Sequence, residues 1–441
     1  MDISVLALSA IILVMIFAFI LGGVWIGVSL ALTGLISFMV FMPGKQVIIP
    51  VVTFNILANY PLAAIPLFVF MGEIFIRSGL SKRLYSGVGK ITSIIPGGAV
   101  HSNIVACALF AAVSGSSAAT AATIGSVAYP EQKKLGYNNR LVYGSLAAGG
   151  TLGILIPPSV TMILYGAFTG ESVGKLFMGG WIPGILLSLL FLGYIYVWSM
   201  RHSKEGPPRD KFSKYYFGGL LFALKELWPI ALIVFFIMGS IYGGIATPTE
   251  AAAVSAVLAL ILGSIFGKIN FKIIKDASLN TIAMAGALGF IIVGANTLAY
   301  FIGMAKIPAL LSETVLASGL DRMIIYFMIV LLYMVLGCFM DGISLMLLTV
   351  PVTYPLIVET LGFDGIWFGV LVTMMVEAAL VTPPVGMNLF VLQTVTGEKD
   401  LSDVIAGSLP FFYCMLLAII ICSIFPDLIT ILPRTMMSSG F

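Results

Sequence analysis

Residues 3–21, 24–42, 176–200, 227–243, 277–303 and 404–425 are apolar runs, each near or above the roughly 18 residues a membrane-spanning helix needs. Two or more soluble cores would need a polar surface this chain does not have: 60% of its 441 residues are hydrophobic and 9% charged, against about 25% charged in soluble domains. Backbone groups in lipid must bond one another, which leaves helix bundles and closed barrels. The ten-residue alternation of a barrel strand is absent, so the expected fold class is all-α and polytopic. The first run has no basic flank before it and no clear small-x-small site after it, and reads as a retained helix rather than a signal peptide. Cys107, Cys338, Cys414 and Cys422 lie in apolar segments without metal-ligand or CxxC spacing and read as packing residues. His101 and His202 are too few for a histidine metal site.

Lysine and arginine concentrate at 77–90, 131–140, 201–216 and 268–275, which the positive-inside rule places in the cytoplasm. The stretches around 43–50, 169–175, 243–249 and 359–364 are poor in both and fall outside. Because 77–90 and 131–140 share a side, residues 91–130 must enter and leave on that side. Their centre, Ser114-Gly115-Ser116-Ser117, is small and polar between two short apolar arms. That pattern describes a re-entrant hairpin, tolerated at membrane depth where protein buries it. One ordinary helix with a Gly/Ser contact patch is the alternative, but it would separate the two basic stretches.

Self-comparison then shows an internal repeat. Leu135-Gly136-Tyr137 parallels Leu361-Gly362-Phe363, and Pro157-Pro158 parallels Pro383-Pro384, both at an offset of 226. Thr169-Gly170 matches Thr396-Gly397 at 227, and Pro130 matches Pro355 at 225. The expected organisation is a first repeat over 1–210, with a hairpin about 91–130 and a broken helix about 140–168. The second repeat covers 211–441, with a hairpin about 323–358, its turn near Asp341-Gly342, and a broken helix about 365–396. Each repeat would have three crossings, a hairpin and two crossings. Five crossings per half invert the second relative to the first, with the N-terminus outside and the connector inside. Inverted repeats with binding on discontinuous helices at the midplane are a transporter plan.

Each Pro-Pro pair removes donors and turns the preceding residue out of helical geometry. The freed carbonyls can hold a small cation; the alternative is a kink without an ion. The first hairpin tip offers hydroxyls and open helix ends that favour an anion, whereas its arm Ala118–Thr123 reads as helix packing. Among acids in or beside apolar segments, Asp341 and Glu377 are favoured as functional. Glu250 reads as a helix cap after Thr247, and Glu73 as a partner for Arg77. There is no GxxxxGK[ST], HExxH or GxSxG motif, no dinucleotide fingerprint and no basic cluster for nucleic acid. An enzyme is not expected, a lipid-directed intramembrane one included, because its acids do not pair by spacing.

FAAVSGSSAATAATIG, GTLGILIPPSVTMILYGAFTGESVGKLFMGGWIPG, GGIATPTEAAAVSAVLALILG, and LGCFMDGISLMLLTVPVTYPL with TPPVGMNLFV resemble the large membrane subunit of TRAP, the tripartite ATP-independent periplasmic transporters. The resemblance covers essentially the whole chain. It implies an elevator-type secondary active transporter of the bacterial inner membrane, a sodium symporter of organic acids with no cofactor. A periplasmic substrate-binding protein would deliver the substrate, and a separate small four-helix membrane subunit would complete the complex. It also implies sodium sites at Ser114, Ser117, Gly153, Ile156 and Pro157, and symmetrically at Gly337, Ala379, Thr382 and Val385. Two such sites give about two or more sodium ions per cycle. The substrate would lie between the tips, near Ser114, Gly115, Ser116, Ser117, Pro158, Ser159, Asp341, Gly342, Pro384 and Asn388. A C4-dicarboxylate, another carboxylate such as sialic acid, or a sulfonate would fit, although the tip departs from the Ala/Asp/Gly-rich tip of sialic acid members. A stand-alone sodium-coupled carboxylate carrier of the same fold is the alternative.

Overall fold

A computed structural model describes residues 5–202, 216–384 and 386–438. Every regular element among them is helical. In the first half, α1 (Val5–Leu21) and α2 (Ile26–Phe41) lead to a short α3 (Ile49–Leu57), then α4 (Ala64–Arg77) and α5 (Leu80–Thr92). A helix–turn–helix pair follows, α6 (Ala99–Ser114) and α7 (Ser117–Lys134), and then α8 (Asn139–Leu155), α9 (Val160–Thr169) and the long α10 (Val173–Arg201). The second half opens with α11 (Tyr216–Tyr242), α12 (Pro248–Phe266), α13 (Phe271–Met304) and the short α14 (Ile307–Ala317). A second pair, α15 (Arg322–Gly337) and α16 (Gly342–Tyr354), precedes α17 (Gly365–Ala379), α18 (Met387–Thr396), α19 (Leu401–Ile424) and α20 (Asp427–Ser438). Among the described residues, eight helices are long and apolar enough to cross a membrane, with α8 and α9 counted as one.

Small residues let these helices approach closely. A side chain at Gly27 would meet the backbone of Ile291, and one at Gly34 that of Leu298, which joins α2 to α13. Gly144 on α8 lies against the Gly407 carbonyl of α19. The contact leaves no room for a Cβ, the packing expected where lipid removes the hydrophobic drive between helices.

Several expected boundaries move. The basic stretch 77–90 is largely helical, as α5. Leu80, Leu84, Tyr85 and Val88 recur at helical spacing and are buried, and Lys82 and Lys90 lie off that face. The first hairpin spans 99–134 rather than 91–130, because Gly97 and Gly98 take positive φ and break the chain just before α6. Pro130 lies within α7 instead of ending it. Tyr129 bonds Tyr143, and Gln132 bonds Tyr85 and Asn103, which holds the last turn in place. The second pair ends at Tyr354, and 355–360 wind as a wider π turn. The proposed division at 210/211 falls outside the described residues.

Stretches expected on one side do come together. Lys268 N–H donates to the Ser78 carbonyl at 3.0 Å, which joins 268–275 to 77–90. At the other end Ile48, Thr169 and Glu359 line one cavity of about 550 Å³, with Tyr300, Tyr354 and Asn296.

Candidate functional site

Each helix–turn–helix tip meets a broken helix of its own half. At the first tip, Gly115 takes φ +60 and Ser116 caps α7, its Oγ accepting from Ala119 N–H. Ser114 Oγ lies 2.7 Å from Thr120 Oγ1, and Thr120 Oγ1 donates to the Ser116 carbonyl at 2.7 Å. A Cβ at Gly153 would fall 2.6 Å from that carbonyl and 2.7 Å from Thr120 Oγ1, and one at Gly115 would fall 3.0 Å from the Pro158 carbonyl. Gly153 and Gly115 therefore let hairpin and break close on each other around a set of oxygens. The Pro157–Pro158 peptide is cis. Ser159 caps α9, and its hydroxyl donates to the Ile154 carbonyl.

The second tip repeats this with fewer hydroxyls. Gly337 lies against Ala379, and Gly342 against Val376. The Pro383–Pro384 peptide is again cis. Thr382 Oγ1 donates to the Ala378 carbonyl at 2.6 Å, and Asn388 N–H donates to the Leu380 carbonyl at 3.1 Å. Val385 lies outside the described residues.

Near the first tip, a side-chain hydrogen-bond pair also links the two halves. Asn388 Nδ2 lies 2.7 Å from Ser117 Oγ, Ser117 Oγ donates back to Asn388 Oδ1 at 3.0 Å, and the same amide donates to the Ala147 carbonyl at 3.2 Å. Both side chains are buried.

The acids divide clearly. The Asp341 carboxylate caps α16, accepting from the N–H groups of Ile343 and Ser344 at 3.1 and 3.2 Å. Glu73 pairs with Arg77 at 2.8 Å, and Glu250 forms a capping box with Thr247. Glu377 is fully buried, and neither carboxyl oxygen has a hydrogen-bond partner. Ser344, one turn into α16, is also fully buried with an unbonded Oγ.

Two residues escaped the sequence reading. Thr120 belongs to the arm read as packing, yet its hydroxyl joins the first tip. Its place one turn after Ser116 is the signal that could have found it. Ser344 had no signal apart from following the Asp341 cap. His101 and His202 serve the backbone: each ring bonds a backbone carbonyl.

A cavity of about 570 Å³ opens beside the second tip, lined by Ala122, Asp341, Met387, Phe390 and Thr394, with Ile26 opposite. A neighbouring cavity of about 680 Å³ reaches Asp341 from Trp25 and Phe290. No lysine or arginine lines either one. What the arrangement offers is carbonyl and hydroxyl oxygen together with helix N-termini. These ligands suit a hard monovalent cation and a small anion, and nothing here supplies a nucleophile with a base.

Residues 13–428 match the family described as "Tripartite ATP-independent periplasmic transporter, DctM component". The C4-dicarboxylate TRAP transporter large permease protein DctM of Pseudomonas aeruginosa is 34% identical over 92% of this chain and 94% of its own length. The isethionate TRAP transporter permease protein DctMQ of Oleidesulfovibrio alaskensis is 32% identical over 85% of this chain and 58% of its own. Among solved structures, the YdaH transporter of Alcanivorax borkumensis has a similar fold, with a TM-score of 0.57 at 14% identity, covering 91% of this chain and 90% of that one.

Proposed function

The chain belongs to the DctM-component family of tripartite ATP-independent periplasmic transporters, and from that membership we propose that it carries a small organic anion across the membrane together with sodium ions. Transport rather than catalysis is its work, and it is a multi-pass protein of the bacterial inner membrane. The observation that carries the sodium reading is the apposition of each hairpin tip to a broken helix. In the first half the Ser116 carbonyl and the Thr120 and Ser114 hydroxyls gather where Gly153 leaves space. A cation among those oxygens would draw hairpin and break together, and the Gly337–Ala379 contact would be the counterpart. The substrate would then rest between the tips.

An inverted arrangement of the halves is supported by where the hairpin feet lie. The feet of the first, at Ala99 and Leu135, share a pocket with Lys90, while the closing foot of the second, at Tyr354, shares one with Ile48 and Thr169. In an elevator movement the hairpins and broken helices would shift past α2, α4 and α13. The relatives named for C4-dicarboxylates and for isethionate carry the substrate proposal: a small carboxylate or sulfonate. Two partners of the kind a tripartite transporter implies, a small membrane subunit and a periplasmic binding protein, complete the reading.

To test it, the chain is reconstituted in vesicles with a small subunit and a binding protein, and uptake of labelled succinate and isethionate is followed with and without an inward sodium gradient. Uptake of one of them should require the gradient. Equal uptake when choline replaces sodium would remove the coupling, and uptake by the chain alone would favour a stand-alone carrier.

A further inference from the structure

The two halves are not equivalent at the place where they meet. The second arm of each hairpin packs on the far part of the other half's broken helix: α7 on α18, and α16 on α9. In the first of these pairs, Ser117, the first residue of α7, bonds Asn388, the second residue of α18. In the second pair the corresponding residues are Gly342, first in α16, and Thr161, second in α9. Glycine has no side chain, so that pair cannot make the bond. One cross-half link of this type therefore exists where the repeat would otherwise allow two.

The link is fully committed. Asn388 Nδ2 meets Ser117 Oγ and the Ala147 carbonyl, its Oδ1 accepts from Ser117, and its backbone N–H reaches the Leu380 carbonyl at the second break. One residue thus touches the first hairpin, the first broken helix through Ala147, and the second break. α18 has no side-chain cap of its own, because its N-cap is Gly386, so the start of α18 is oriented by this amide instead. A buried amide with its partners in place holds one geometry, and any displacement of Ser117 must break a bond that nothing else replaces.

We infer that Asn388 is a positioning residue that couples the two cation sites, so that filling the first, beside Ser114 and Ser116, orders the second break, and the reverse. The inference rests on the sodium reading above. It adds that the sites are filled cooperatively and that one side chain carries the coupling. Coupling of this kind is reciprocal, so the effect must be visible from either site.

The test is the steepness of sodium activation of uptake in the reconstituted complex, read beside sodium-induced thermal stabilisation of the same preparations. The parent should show a Hill coefficient approaching about 2, the ceiling for two coupled sites. Asn388→Ala should bring it to about 1 while sodium still stabilises the protein. Ser117→Thr, which keeps the hydroxyl, should keep the steep curve. Combining Asn388→Ala with Ser117→Ala should flatten the curve no further than Asn388→Ala alone. Asn388→Leu preserves volume and serves the same test should Asn388→Ala not accumulate. An Asn388 variant that keeps the parent's steepness, whatever its stability, overturns the coupling. A parent with no sodium response overturns the sodium reading and the coupling together, so the two failures are distinguishable.

Discussion

At Gly153 a single methyl group would stand 2.6 Å from the Ser116 carbonyl, a distance no ordinary Cβ contact reaches. Gly153→Ala must therefore push the first hairpin off α8, at a cost on the order of 1–3 kcal/mol. The expected outcome is a chain that still inserts and is recovered in detergent, but whose sodium activation shifts several-fold to higher concentration. Unchanged activation would remove Gly153 from the first site. A second residue-scale expectation concerns Glu398, in the turn between α18 and α19. Tyr143 donates to its carboxylate at 2.7 Å, and the N–H groups of Asp400 and Lys399 donate to it as well. These bonds hold its pKa below the ordinary carboxylate value. The carboxyl therefore contributes stability fully above its unfolded pKa of about 4.3, and loses that contribution as pH falls through the lower folded value. Melting temperatures of the parent and Glu398→Gln, measured from pH 7 to pH 3, should differ at neutral pH and converge on acidification. A constant difference would assign the effect to packing.

Among elements, the long apolar runs and both breaks were readable, because twenty apolar residues in a row and a Pro-Pro pair each leave few backbone options. The structure breaks the helices at 156–159 and 380–386, where the proline pairs stand. What the sequence concealed were the short helices lying between the spans. α5, α14 and α20 mix charge with apolar residues, and that composition is shared by loops. Only a helical-period count over a dozen residues separates the two. The Ser117–Asn388 bond was concealed for another reason. The internal repeat pairs each hairpin with its own half, and nothing in a repeat announces a contact across 271 residues. Element packing makes its own prediction at α5. Arg83 reaches Glu226 of α11 at 2.5 Å and the Phe266 carbonyl of α12 at 2.8 Å, with its guanidinium over the Phe266 ring. Arg83→Ala should lower stability by about 1.5–3 kcal/mol, the range for charge-assisted bonds at a partly buried site. In a cycle with Glu226→Ala, unfolding in denaturant should be strongly non-additive. Additive losses would mean that the pair is incidental and that α5 is held by its apolar face alone.

For the whole molecule, the elevator reading proposed above puts the α2–α13 pair and the α8–α19 pair in two bodies, and the 550 Å³ cavity lies between Tyr300 of α13 and Tyr354 of α16. If the bodies slide during transport, a bridge across that cavity must stop them. With Cys107, Cys338, Cys414 and Cys422 replaced by serine and cysteines introduced at 300 and 354, a reducible bifunctional maleimide should abolish uptake, and reduction should restore it. Each single cysteine treated in the same way should transport normally. Undiminished uptake by the bridged protein would rule out relative motion of these two bodies.

The lining of the tips carries one more consequence. The two cavities beside the second tip hold no lysine or arginine, and the one acid they share, Asp341, is already bonded to the start of α16. A cation arriving there meets a single carboxylate, already engaged in capping a helix, and no competing side-chain cation. Its energy at that depth is then governed by the voltage across the bilayer, about 2.3 kcal/mol per elementary charge for each 100 mV crossed. On the sodium reading proposed above, a polarised cell would thus load the second tip at sodium concentrations that leave it largely empty in a depolarised one.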